Sequence, residues 1–240
     1  MKKDEGWKTV SNEEYFADNR LNSSLLKDIL NGPQYFLKKK QLPPQTASDA
    51  FIFGSAFHST LLLDEALESA LNAVKTPAKQ RDLKGCVESV VSTAFWKDLK
   101  QGRYGEVIKE QAGFNSLYKI NPDIRCPQTG LLVDLKTTSA PLERFQWAAK
   151  DFGYDLQAAH YLDVANSLSL EENYKTFLLL VVEKSYPYRT RLFDFDSETL
   201  EKGLEKRDQA ASLWKKWEAS LDFLIEDAKK EMEEIITLSF

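Results

Sequence analysis

Cysteine is scarce in this chain of 240 residues: only Cys86 and Cys126 occur, far apart and without a Cys-x-x-Cys pairing. That spacing excludes a zinc-finger-like site and a disulfide framework, and both thiols read as reduced and structural. Long apolar runs are missing too. None approaches the roughly 18 residues of a membrane span, and Met1-Lys-Lys-Asp-Glu-Gly6 lacks the apolar core of a signal peptide. The expected location is the cytoplasm, with no membrane partner. There is no excess of positive charge either, since 32 Lys and Arg stand against 37 Asp and Glu, a net charge of −5. Such a chain does not coat nucleic acid by bulk electrostatics, because phosphate affinity comes from lysine and arginine contacts. An enzyme with a local basic channel remains compatible, and carboxylates that bind a metal add to the acidic total. No internal repeat or low-complexity tract is present.

What is present is ordinary for a soluble globular protein: 42% hydrophobic and 29% charged residues, in a chain long enough for one large core or two small ones. Ser11-Asn-Glu-Glu14 has the form of a capping box, and Asn22-Ser-Ser24 opens a second helix that ends at Gly32-Pro33. Lys38-Lys-Lys40 then precedes a polar loop over 41–49, and reads as a solvated helix end before a phosphate contact. The segment 50–63 is apolar almost all round, which predicts a buried helix, with Gly54, Ser55 and Ala56 admitting a close neighbour. His58 lies within it, and a lone histidine there is ordinarily a hydrogen-bonded core residue. Over 64–101 the pattern is helical, with Val87, Val90, Val91, Phe95 and Trp96 as the inner face. Lys75, Lys79, Arg81 and Lys84 around Pro77 read as a DNA-facing loop or a solvated connection. Thr176–Val182 reads as a central strand and 188–195 as an edge strand, while 197–230 predicts one long amphipathic helix packed on the sheet or on another subunit. We therefore expect one α/β domain over 1–240, with a mostly helical part over 1–100, a sheet with its helices over 101–196, and a C-terminal helix over 197–240.

The chemistry concentrates in Asn121-Pro-Asp-Ile-Arg-Cys-Pro-Gln-Thr-Gly-Leu-Leu-Val-Asp-Leu-Lys136. Residues two apart on a strand share a face, so Asp134 and Lys136 project together while Leu135 points away and offers its backbone carbonyl. With Asp123, two carboxylates, a carbonyl and an ammonium converge. Oxygen donors of this kind suit Mg²⁺ or Mn²⁺, and a lysine beside them can position a water, which is a nuclease-like site. Asn115-Ser116 predicts a two-residue hairpin turn joining 106–114 to 117–124. In that register Ile108 lies opposite Asp123 and Glu110 opposite Asn121, so either Glu110 or, in reserve, Glu106 completes the set. Gln157 and Tyr161 are i and i+4 on the helix that starts at Tyr154, and share one face.

Several motifs in one order carry a resemblance: Ser11-Asn-Glu-Glu-Tyr15 with Ser24-Leu-Leu-Lys-Asp-Ile29, Phe53-Gly-Ser-Ala-Phe-His58, Asn121-Pro-Asp123, Val133-Asp-Leu-Lys-Thr-Thr138, and Gly153-Tyr-Asp-Leu-Gln157 through Tyr161. Together they cover most of 10–195, and the chain resembles the RecE/exonuclease VIII group of the PD-(D/E)xK nuclease superfamily, from phage and prophage recombination systems. The resemblance implies a restriction-endonuclease-like α/β core with a central mixed sheet flanked by helices. It implies a metal shell of His58, Glu110, Asp123 and Asp134, a catalytic Lys136, and Gln157 and Tyr161 in support, bracing Lys136 or touching the scissile phosphate. It further implies a 5′-to-3′ exonuclease on linear double-stranded DNA that leaves 3′ single-stranded tails, a ring-like trimer or tetramer, and a single-strand annealing protein as partner. The group usually has arginine where this chain has Asn121, so one positive charge near the site is absent. Mg²⁺ is the expected cofactor, with Mn²⁺ substituting. Two alternatives stand beside this: a RecB-like nuclease of other polarity or structure selectivity, and a DNA-binding recombination accessory protein without catalysis.

Overall fold

The computed structural model describes residues 5–41, 47–63 and 67–233. The chain opens with a short strand, β1 (Gly6–Lys8), and then three helices, α1 (Asn12–Ala17), α2 (Ser23–Leu30) and α3 (Pro33–Gln41). Ser11 and Glu14 make both bonds of the capping box on α1, and the Asn22 side chain caps α2. Pro33 both ends α2 and starts α3, because a proline costs nothing in a first turn whose N–H groups lack partners. The lysine triplet sits in the last turn of α3, where Lys39 pairs with Asp28 and Lys40 lies over the Phe36 and Trp214 rings. Part of the expected 41–49 loop falls outside the described residues.

Four more helices follow: α4 (Asp49–Leu62), α5 (Leu67–Ala73), α6 (Pro77–Ser92) and α7 (Ala94–Lys100). Helix α4 is not buried all round: Phe53, Ala56, Phe57, Leu61 and Leu62 face inward, but Phe51 is exposed. Nor does Gly54 admit a close neighbour, since nothing lies within 4 Å of where its Cβ would be. Of the basic cluster, Lys75 lies in the connection before α6, while Lys79, Arg81 and Lys84 are on the helix; Lys79 pairs with Asp49 and Lys84 approaches Glu88. Val91, expected inside, is exposed, while Val87, Val90, Phe95 and Trp96 are buried.

The strands β2 (Ile108–Lys109), β3 (Ala112–Phe114), β4 (Lys119–Ile120), β5 (Ile124–Cys126) and β6 (Leu131–Thr138) come next, then α8 (Phe145–Asp151), α9 (Tyr154–Leu168), β7 (Thr176–Glu183) and β8 (Thr190–Phe193). A five-stranded mixed sheet has the order β2-β5-β6-β7-β8, parallel only between β6 and β7; a second sheet has the order β1-β3-β4. One face of β5–β7, through Ile124, Cys126, Val133, Leu135 and Leu180, packs on Phe57, Val87 and Val90 of the α4–α7 layer. The opposite face, through Leu132, Phe177 and Leu179, packs on Phe145, Ala158 and Val164 of α8 and α9. A mixed central sheet flanked by helices is thus the architecture that the sequence leads one to expect.

The hairpin departs from expectation. Asn115 Oδ1 accepts the N–H groups of Leu117 and Tyr118, and Asn115 N–H donates to the Tyr118 carbonyl, so the connection spans four residues. Phe114 therefore pairs with Lys119 and not with Leu117. The ladder also breaks midway: Glu110 has φ 47° and stands opposite Asp123, the next position, Gln111, faces Pro122, which has no N–H to give, and the two halves of the hairpin join different sheets. Buried Arg125 secures this junction, donating to Gln111, Glu172 and Tyr174 with its guanidinium 4.4 Å from the Trp7 ring.

The expected C-terminal helix is two, α10 (Ser197–Ala219) and α11 (Leu221–Glu233), parted by an extended Ser220. The break lets the chain fold back, with Lys216 and Trp217 of α10 bonding Asp227 of α11. Helix α10 runs along α9 and touches the sheet-side cluster of Leu179 and Val181 only through Leu200, near its start; beyond that, Ala210, Trp217 and Leu224 pack with Leu26, Ile29 and Phe36 of α2 and α3. Among the described residues, no helix is long and apolar enough to cross a membrane.

One buried group ties this scaffold to pH. His160 on α9 is fully buried, with Nε2 3.2 Å from the Lys119 carbonyl oxygen, which makes it the donor of a neutral ring. Burial pushes its pKa down to about 3 from 6.5. The unfolded chain therefore takes up a proton that the native state refuses, so this contribution is complete above pH 6.5 and is lost as pH falls toward 3. The expected loss is about 1.4 kcal/mol per pH unit in that window. His160→Gln keeps an N–H for the carbonyl and should lose less stability than wild type between pH 7 and 5 in urea unfolding; equal losses would count against this role.

Candidate active site

Strand β6 supplies the centre of the site because its alternation sends Leu131, Val133 and Leu135 into one core and turns Asp134 and Lys136 toward α9. Asp134 is buried; its Oδ1 accepts from Gln157 Nε2 at 2.7 Å, and its Oδ2 is ion-paired with Lys136 Nζ. One step beyond the pair Ile124–Val133, the β5–β6 ladder brings Asp123 across from Asp134. Asp123 Oδ2 accepts the Leu135 N–H at 2.6 Å and meets His58 Nε2 at 3.1 Å. One step beyond Lys109–Ile124, Glu110 faces Asp123 in turn and donates its N–H to the Asp123 carbonyl oxygen at 3.1 Å. Glu110, Asp123 and Asp134 thus form a row across three chain segments. Glu106 does not join it: this residue is exposed, outside β2, with its N–H on Gln128 Oε1.

His58 reaches the row from the other layer, because α4 packs against β6. Its Nδ1–H donates to the Gly54 carbonyl oxygen at 2.7 Å, which fixes the ring with Nε2 aimed at Asp123. Histidines that bind metals commonly have this second hydrogen bond. Burial disfavours the charged ring, but the Asp123 carboxylate outweighs it and raises the pKa to about 9. Burial raises the Asp134 carboxyl above the ordinary range, and the Asp123 charge adds to this against Lys136. Asp123 is held below its ordinary value despite burial, by His58 and Lys136. For Lys136, burial is outweighed by Asp134, so its pKa rises.

Not every expected side chain arrives. Gln157 braces Asp134 and not Lys136. Tyr161 is buried, with its hydroxyl 3.4 Å from the Asn121 carbonyl oxygen, and braces neither. Lys136 lies instead 5.2 Å from the centroid of the Tyr154 ring, and a further ammonium, that of Lys27 on α2, is 5.3 Å from the same ring. Both residues fall inside motifs conspicuous in the sequence, but nothing in linear spacing brings Lys27 to Lys136; the packing of α2 near α9 does.

Pro122-Asp123 followed by Asp134-Leu-Lys136 spells a PD…DxK order. Residues 22–220 match the family described as PDDEXK-like domain of unknown function (DUF3799). The chain belongs to this PDDEXK-like family. Among solved structures, it is similar over 97% of its length to 96% of a "Putative exonuclease" from Eubacterium rectale, with a TM-score of 0.66 and 14% sequence identity. That likeness is one of fold. A second structure, SSO0001, has 14% identity over 78% of this chain and 84% of its own, at a TM-score of 0.29. No curated protein matches the sequence. The superfamily expected from the sequence is therefore the one found, and nucleases of this kind typically use divalent metals.

The donor set of this PDDEXK-like chain suits such an ion in chemistry: the carboxylates of Glu110, Asp123 and Asp134, the Leu135 carbonyl, and an imidazole already oriented by Gly54. The buried Asp134 carboxyl, whose ionisation the charge of the partly buried Asp123 disfavours, gains from a cation between the two. Among the described residues, however, no three His, Cys, Asp or Glu side chains converge closely enough to hold a metal. Both Asp134 oxygens are engaged, by Gln157 and Lys136, whereas Asp123 turns a single oxygen, Oδ2, to both Leu135 and His58.

Proposed function

We propose that this protein is a Mg²⁺-dependent exodeoxyribonuclease of the RecE/exonuclease VIII type, with Mn²⁺ able to replace Mg²⁺. It would degrade linear double-stranded DNA 5′ to 3′ and leave 3′ tails for strand annealing. The observation that carries the reading is the row of Glu110, Asp123 and Asp134 beside Lys136 in a PDDEXK-like chain. The exonuclease designation of the Eubacterium rectale protein supports the end-directed activity, and the ordered motifs support the RecE-type polarity. The cytoplasm, a ring-like trimer or tetramer and a single-strand annealing partner belong to the same proposal.

Glu110, Asp123, Asp134, the Leu135 carbonyl and His58 would hold the metal. When bound, it supplies charge neutralisation at the phosphate and an acidified water. Gln157 holds the Asp134 carboxylate in place, and Leu135 N–H with His58 does the same for Asp123. Lys136, ordered by Asp134 and the Tyr154 ring, presents N–H donors where negative charge develops and orients the attacking water. Tyr161 acts from a distance, by holding Asn121 ahead of Pro122-Asp123.

End-labelled linear duplex and circular duplex, each incubated with Mg²⁺, test the reading. Release of label from the linear form, with the circle spared and 3′ tails accumulating, is the expected result; equal attack on the circle favours a RecB-like enzyme of other selectivity. The unconverged carboxylates favour one second reading, a DNA-binding accessory protein without catalysis. Mn²⁺ titration separates the two, because the row should bind the ion and a relic should not.

A further inference from the structure

Lys27 has no role in the site as described above, yet its position is unusual for a lysine. Its stem runs beside Gly153, where an added Cβ would lie 3.5 Å from the Lys27 Cδ and Cε atoms. Its ammonium reaches the Tyr154 ring that Lys136 also contacts. No carboxylate pairs with it among the described residues: neighbouring Asp28 is engaged by Lys39, and Asp155 by Lys206. Burial and the charge of Lys136 lower its pKa to about 8, against the opposing charges of Asp134, Asp155 and Asp28. A half-buried cation held beside another cation, acted on by carboxylates but ion-paired with none of them among the described residues, gains from the arrival of an anion. Lys27 lines a cavity of about 530 Å³ between α2, α3 and the α8–α9 turn, where Lys39, Lys150 and Lys206 outnumber the carboxylates of Asp28 and Asp151.

We infer that Lys27 binds a phosphate of the nucleic-acid strand, adjacent to the phosphate that reacts beside Asp134 and Lys136, with the Tyr154 ring setting the spacing of the two ammonium groups. The inference rests on the nuclease reading and adds to it a strand contact outside the metal row. The ligand chemistry is a phosphate monoanion or dianion, supplied by an internal phosphodiester or by a terminal phosphate.

Lys27→Met retains the aliphatic stem beside Gly153 and removes the ammonium that lies over the Tyr154 ring. Binding to a linear duplex is measured in EDTA over a range of KCl, and hydrolysis in Mg²⁺. The slope of log K against log salt should fall by about 0.9, the value of one phosphate contact. Affinity should weaken, and KM rise, about tenfold, with kcat unchanged and both effects reversed in Lys27→Arg. An effect confined to 5′-phosphorylated ends assigns a terminal phosphate, and one shared with 5′-hydroxyl ends an internal phosphodiester. Wild-type slope and KM in Lys27→Met overturn the inference while the nuclease reading stands. A wild-type protein that leaves the duplex intact in Mg²⁺ overturns both. If Lys27→Met lowers the unfolding midpoint, Lys27→Gln, read by the same slope, decides.

Discussion

Lys136→Met is expected to slow Mg²⁺-dependent degradation of linear duplex DNA by about 10²–10³-fold, the usual effect of removing one donor aimed at developing charge. Methionine has an unbranched apolar stem of similar length, so the ammonium and its contact with the Tyr154 ring are what is lost. Asp134 then lacks its cation beside Asp123, and its carboxyl, already raised by burial, takes up a proton more readily. Asp134→Asn should be at least as inactive, while its amide oxygen still accepts from Gln157. Single-turnover release of nucleotide, with circular dichroism to establish folding, measures both. Undiminished release by either pure, folded variant would remove these residues from the chemistry.

Asp123 separates structure from catalysis. Asp123→Ala leaves the Leu135 N–H and the His58 ring without their acceptor in a partly buried setting. A loss of about 3 kcal/mol in stability is expected, the upper end for leaving partly buried donors without their acceptor, together with loss of activity. Asp123→Asn can still accept the Leu135 N–H and should lose much less stability, about 1–2 kcal/mol. Its activity should fall as far as that of the alanine variant, because the missing charge is the one a metal requires. Urea unfolding and the nuclease assay read the two effects separately. An asparagine variant with the wild-type rate would show that Asp123 serves only to cap β6.

How far the sequence discloses this site follows from which parts depend on period alone. Asp134 and Lys136 share a face because strand alternation requires it, and no tertiary detail alters that. The hairpin register moves by two residues, because the Asn115 side chain closes a four-residue loop. An even shift keeps every residue on its face, so Glu110 still stands on the side of Asp123, now directly opposite it. The positive φ of Glu110 and the division of the hairpin between two sheets have no mark in the sequence except Pro122. Tyr161 is misplaced for a definite reason: on α9, Gln157 shares its face with i−3 as well as i+4, and the approach of β6 selects Tyr154 as the neighbour of Lys136. The two C-terminal helices look continuous because Trp217 and Leu224 stay seven apart across Ser220. The pairing of Lys27 with Lys136 lies in the packing of α2, which no local pattern encodes.

The central claim is that the row of carboxylates beside Lys136 hydrolyses DNA with the help of a divalent metal. Acid-soluble nucleotide released from a linear duplex by the wild-type protein, in Mg²⁺ and again in EDTA, tests it most directly. The account expects steady release in Mg²⁺ and none in EDTA, with release restored when Mg²⁺ is added back. No release in Mg²⁺, or release that EDTA leaves untouched, would contradict it.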